Sequence, residues 1–114
     1  MAHDERITNM LRDALRAGPE ITEKRMMGGL CFFHRGNMVC GADRDKDQVG
    51  RLMFRVGKAQ ESAALTRPGA TPVVLGGRRM GGLVFVDEAA CTSDTVREWI
   101  DLAMDFVGHL PPKS

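Results

Sequence analysis

The residues best suited to chemistry sit together in RMMGGLCFFHRGNMVCGAD, residues 25–43. The stretch holds Cys31, His34 and Cys40 in a C-x-x-H arrangement with a further cysteine. These types can hold zinc, or can set an imidazole beside a thiol to make it a nucleophile. Both chemistries need convergence on one point. If the stretch is a strand pair turning at Arg35-Gly36, alternation sends His34 to the opposite face from both thiols. No metal and no cofactor is therefore expected. A two-residue turn would set His34 opposite Asn37, Phe33 opposite Met38, Phe32 opposite Val39 and Cys31 opposite Cys40. The cross-strand pair Cys31 and Cys40 could then bridge if the separation suits a disulfide. A reducing compartment favours packed free thiols instead.

Other patterns were weighed in the same way. DRDKDQ spaces Asp43, Asp45 and Asp47 like the opening of a calcium loop, but Gln48 stands where Gly is needed and Phe54 where Glu is needed. The glycines of MMGG and GGRRMGG match neither a Walker loop nor a dinucleotide fingerprint, so they read as tight turns and bulges. Lys24, Arg25, Arg35, Arg55, Arg78 and Arg79 lie on or near predicted strands and form the candidate contact set for an anion or an acidic partner. Met26, Met27, Met38, Met53 and Met80 could ligate a soft metal, although methionines at such positions more often fill cores and adaptable interfaces. Phe32, Phe33, Phe54 and Phe85 lie within apolar runs and read as core rather than as base-stacking platforms.

These residues must be held by a small fold. Ile7, Met10, Leu11, Ala14 and Leu15 repeat with helical period over Asp4 to Ala17, and Gly18-Pro19 stops that helix. Residues 21–34, 37–43 and 48–56 read as three strands, and 58–65 as a short helix. Residues 66–72 read as a loop, and 73–87 as a second hairpin with glycines around Arg78 and Arg79. Thr92 or Ser93 caps a last helix to about Val107, with Val96, Trp99, Ile100, Ala103 and Val107 as its buried stripe. The expectation is one α+β domain over 1–114, core about 4–110, ordered α-β-β-β-α-β-β-α. Its antiparallel sheet has five strands with helices packed on it.

Composition narrows the function classes. The chain has 114 residues, 43% hydrophobic and 27% charged, with a net charge of +1. A single buried core is feasible. Without a basic excess, nucleic acid is not the favoured partner. The N-terminus lacks the apolar stretch of a signal peptide, and no apolar run spans a membrane. Three cysteines without C-x-x-C make no disulfide framework. A cytoplasmic location is expected.

The whole pattern resembles the N-terminal domain of the TfoX (Sxy) competence-regulator family. The carrying residues are KRMMGGLCFFHRGNMVCGA (24–42), LMFRVG (52–57), GRRMGGLVFV (77–86), and Trp99 followed by LAMDFV and LPPK. Lys24, Met26, Gly28, Gly29 and Gly36 take the positions of the family's first block. Leu52, Arg55 and Val56 match its L-x-x-R/K-V strand, and Gly77, Arg78, Met80 and Gly82 its G-R-x-M-x-G turn. The resemblance implies the same five-stranded order, with no known catalytic residues and no established cofactor. Longer members add a C-terminal helical domain and help switch on DNA-uptake genes. The present sequence ends at Ser114, which gives the expectation of a stand-alone copy.

Both faces of the first hairpin are apolar, where a half-exposed strand should alternate. One face should meet the helices and the other a second protomer or a ligand. Three readings follow. The first is a non-enzymatic regulatory domain, a homodimer that binds a protein partner, with the transcription machinery as one candidate. The second is a small-anion or catalytic domain built on the glycine turns with Arg55, Arg78 and Arg79. The third is direct DNA binding. Convergent arginines in an enclosed pocket would favour the second, and a steep salt dependence the third.

Overall fold

The computed structural model describes residues 5–16, 20–26 and 28–113. Helix α1 (Glu5–Leu15) is followed by β1 (Ile21–Met26), β2 (Gly29–His34), β3 (Asn37–Arg44) and β4 (Gly50–Arg55). Then come α2 (Lys58–Ala64), β5 (Ala70–Leu75), β6 (Arg78–Asp87), a 3-10 turn (Glu88–Ala90) and α3 (Ser93–Val107). The strands form one sheet in the order β1-β2-β3-β4-β6-β5, antiparallel throughout.

The α+β class holds, but the sheet has six strands and not five. Residues 21–34, expected as one strand, are a hairpin. Gly28 (φ +80°) supplies a backbone conformation that few other residues adopt, so the chain reverses there. Met26 then pairs with Gly29 and Ile21 with His34. The run of apolar residues across 26–34 hid that break. Strand β5 also begins earlier than the expected hairpin, because Ala70 to Pro72 pair with β6. Strand β4 is shorter than 48–56 at both ends. The expected helix boundaries at Asp4 and Ala17, and the Gly18-Pro19 stop, lie outside the described residues.

A second correction concerns the thiols. His34 does face Asn37 and Phe33 does face Met38, but a β-bulge between Phe32 and Phe33 then shifts the register by one residue. Phe32 meets Cys40, Cys31 meets Gly41 and Leu30 meets Ala42. Since side chains alternate across a strand, the shift moves Cys40 onto the helix-covered face and leaves Cys31 on the other. The two are therefore not a cross-strand pair, and all three cysteines are free.

The inner face of the sheet carries the core. Leu30, Phe32, Val39, Cys40, Ala42, Leu52, Phe54, Val84 and Val86 pack against Ile7 and Leu11 of α1 and Val96, Trp99, Ile100, Ala103 and Val107 of α3. The stripe expected on the last helix is the stripe that is buried. Phe54 and Trp99 stack with centroids 5.3 Å apart and planes 13° from parallel. Such a pair adds about 0.5–1.5 kcal/mol beyond the area it buries. Thr92 caps α3 reciprocally with Thr95: each side-chain oxygen accepts the other's backbone N–H.

Helix α2 packs on β6. Gly82 is the point of closest approach. A Cβ there would lie 3.2 Å from the Lys58 nitrogen and 3.3 Å from Gly57. Glu61 of α2 fixes the junction, accepting from the Gly82 N–H and from Arg79, each at 2.8 Å.

Candidate functional site

The face of the sheet away from α1 and α3 holds a groove of about 240 Å³. Its walls come from the whole width of the sheet. Met26 and Leu75, from the two edge strands, line it together with Cys31, Met53 and Phe85 from the strands between. The sheet is therefore curled, in keeping with the bulges in the β2–β3 and β5–β6 pairs. Gly29 and Gly41 also line the groove. Gly41 pairs with Cys31 on one side and Met53 on the other, so a side chain is missing midway between two sulfurs. A Cβ on Gly41 would lie 3.1 Å from the Cys31 Sγ.

One wall is rigid. The Arg51 guanidinium lies 3.8 Å from the centre of the Phe85 ring. It also donates to both carboxylate oxygens of Asp43, at 2.9 and 3.3 Å. Arg51 is thus stacked through its face and bonded through its edge, a geometry that lysine could not reproduce. Asp45 is also engaged, its Oδ1 accepting from the N–H groups of Asp47 and Val49. Two of the three acids that suggested a calcium loop, Asp45 and Asp43, are therefore parts of a turn and a salt bridge.

Positive charge surrounds one end of the groove. Arg44 and Lys46 line it directly and are exposed. Lys24 and Arg25 precede Met26 on the edge strand, and Arg78 pairs with Leu75 across the second hairpin; all three are exposed. Of the expected basic set none lines the groove: Lys24 and Arg25 adjoin its Met26, with Arg25 on the other face by strand alternation, and Arg78 pairs with its Leu75. Arg44 and Lys46 went unnoticed because nothing in the sequence shows that the β3–β4 loop folds over the groove.

The other three cations are elsewhere. Arg35 sits in the β2–β3 turn with Glu20, at 3.1 Å. Arg35, and to a lesser degree His34, holds the Glu20 carboxyl below its ordinary pKa. Arg79 turns to Glu61. Arg55 lies near Phe106, with Gly57, Lys58, Gly81 and Gly82 around a separate hollow. That hollow offers little of a phosphate cradle, because its glycine amides serve the fold. The Gly57 N–H donates to the Gly82 carbonyl, and the Gly82 N–H to Glu61.

The thiols are electrostatically quiet. Burial, aided by Asp43, raises the pKa of Cys31. Burial raises Cys40 much further and Cys91 to about 11. His34 is on the far side of the hairpin from Cys31, with its Nε2 3.2 Å from Glu20. Among the described residues, no three His, Cys, Asp or Glu side chains are grouped to hold a metal ion.

The methionines and aromatics are less uniform than expected. Met26 and Met80 are exposed, and Met38 and Met53 half-buried, so none of these four is a core residue. Phe32 and Phe54 are core. Phe33 is half-buried and Phe85 is capped by Arg51, so neither belongs to the helix-covered core.

Together these features define an α+β domain with a helix-covered inner face and a grooved, basic-rimmed outer face. The chain belongs to the TfoX N-terminal domain family, whose model matches residues 13–107. No curated protein and no solved structure matches it. Among the described residues, no helix is long and apolar enough to cross a membrane.

The residues carried over from the family's motifs have structural duties here. Gly36 and Gly77 lie in hairpin turns, Gly28 separates β1 from β2, Gly82 meets α2, and Trp99 stacks on Phe54. Met26 and Gly29 line the groove.

Proposed function

We propose that this domain is a protein-binding module whose outer groove takes an acidic, apolar segment of a partner, in a regulatory setting within the cytoplasm. One observation carries the reading: sulfur and aromatic side chains line a groove that is also lined by the cations Arg44, Lys46 and Arg51. An apolar floor supplies binding energy by burial, and the cations select the sign of the partner and steer its approach. Methionine suits such a surface because its side chain adapts to different shapes. The raised thiol pKa values, and the lack among the described residues of three His, Cys, Asp or Glu side chains grouped for a metal ion, give catalysis little to use. Three free thiols fit a reducing compartment.

A second copy of the chain is the alternative occupant. Two-fold symmetry about the groove would bring the basic rim against itself, and like charges opposed in an interface cost affinity. A non-self partner is therefore preferred.

The test is selection of a random-peptide display library on the immobilised domain. Amide NMR shifts then locate the selected peptides. Enriched sequences should combine Asp or Glu with aliphatic or aromatic residues, shift Cys31, Gly41 and Met53, and weaken with Arg44→Glu or Lys46→Glu. A dilution-resistant dimer in light scattering, with the groove protected, would replace this reading with self-association. Enriched peptides that shift only residues on α1 and α3 would end it.

A further inference from the structure

We propose that Met26, Cys31 and Met53 form a binding site for a soft monovalent metal ion, copper(I) or its analogue silver(I). The inference goes beyond the protein-binding reading, since it needs no partner.

Three sulfur-bearing side chains line one small groove, and each reaches it from a different strand. Cys31 and Met53 flank Gly41 in a single cross-strand row. The Cys31 Sγ already leans over the glycine. Met26 stands opposite Gly29, two residues before Cys31 on the same face of β2. Glycine at 41 leaves the space between Cys31 and Met53 without a side chain, whereas at Gly29 the neighbouring Asp43 Cβ closes in. Methionine has three rotatable bonds, so its thioether can adjust to a shared centre.

The donor set selects the metal. Thiolate and thioether ligands are soft and favour copper(I), whereas calcium, magnesium and manganese favour oxygen. The nearby oxygens are already engaged: both Asp43 oxygens face Arg51, and Asp45 Oδ1 holds two backbone N–H groups. Zinc would need a fourth strong ligand, and no histidine lines the groove. Binding is a ligand exchange without electron transfer. The Cys31 S–H bond breaks, its proton goes to solvent, and a sulfur–metal bond forms while the metal stays at +1.

The experiment is an anaerobic titration of the reduced full chain with copper(I) against a colorimetric chelator. A parallel silver(I) titration follows methionine methyl NMR signals. One equivalent should bind, and the Met26 and Met53 methyls should move while the other methionine signals hold. Cys31→Ser should weaken binding by roughly a hundredfold, and Met26→Leu and Met53→Leu by roughly tenfold each, as loss of a soft donor implies. Leucine conserves volume, so these variants keep the fold. Cys91→Ala should leave binding unchanged. Methyl signals that stay still, full affinity in Cys31→Ser, or parent affinity in both leucine variants would overturn the proposal.

Discussion

Glu61 is the most informative residue to remove, because its one carboxylate does two separable things. One oxygen accepts from the buried Gly82 N–H and the other from Arg79, each at 2.8 Å. Only 13% of the Glu61 side chain is exposed, against 59% for Arg79. The ion pair with so exposed an arginine is worth at most about 1 kcal/mol. Leaving the Gly82 N–H buried without an acceptor costs about 1–3 kcal/mol. Arg79→Ala should therefore cost less than about 1 kcal/mol and Glu61→Ala about 2 kcal/mol or more. Glu61→Gln, which keeps a carbonyl acceptor for Gly82, should fall between them.

With an unfolding entropy of about 2.1 cal/mol/K per residue, 1 kcal/mol moves Tm by about 4 °C in a chain of 114 residues. Thermal melts should then place Glu61→Ala about 8 °C below the parent and Arg79→Ala within about 4 °C of it. The pH dependence is a second check. The Gly82 N–H first, and Arg79 after it, hold the Glu61 carboxyl below its ordinary value of 4.5. A depressed carboxyl contributes stability that is complete above the unfolded-state pKa and is lost as pH falls through the folded one. Glu61→Gln should flatten that acid slope. If Arg79→Ala costs as much as Glu61→Ala, the junction is held by the ion pair and the reasoning fails.

Phe54→Ala should cost about 3–5 kcal/mol, since it empties a fully buried site and abolishes the stack on Trp99; a denaturant midpoint close to that of the parent would contradict this. Thr92→Ala should cost about 1 kcal/mol by uncapping α3, and Thr95→Val should act in the same direction because the cap is reciprocal. A thiol reagent at neutral pH should label the folded chain more slowly than the unfolded one, in the order Cys31, Cys91, Cys40. Cys91 should become reactive only as pH approaches about 11. Rapid stoichiometric labelling of any cysteine at neutral pH would refute that order.

The sequence carried the helices and the inner face better than the outer one. Spacing alone marked Val96, Trp99, Ile100, Ala103 and Val107 as the buried stripe of α3, since helical period follows directly from residue type. The β1–β2 break was harder to see because no polar residue interrupts Met26 to Phe33. Only the glycines signal it, and glycine also marks bulges. The one-residue bulge beside Phe33 was not legible at all. It depends on how the β2–β3 pair curves over the helices, and it puts on opposite faces two thiols expected on one. The groove was hidden for the same reason. Its residues lie on every strand, and only the curl of the whole sheet brings Met26 and Leu75 to one place.

The last described residues do more than trail from α3. The Lys113 N–H donates to the Arg35 carbonyl, and the Asn37 side chain to the Pro111 carbonyl. The chain is thereby strapped across the tip of the β2–β3 hairpin. The groove begins at the other end of that hairpin, beside Gly29, about 17 Å away by strand rise. A tether joined beyond Lys113 would leave from the rear of the domain and hold the groove outward. The same strap makes that attachment point a poor handle for pulling, because load applied there would first peel Lys113 from Arg35 and loosen the hairpin that carries the groove.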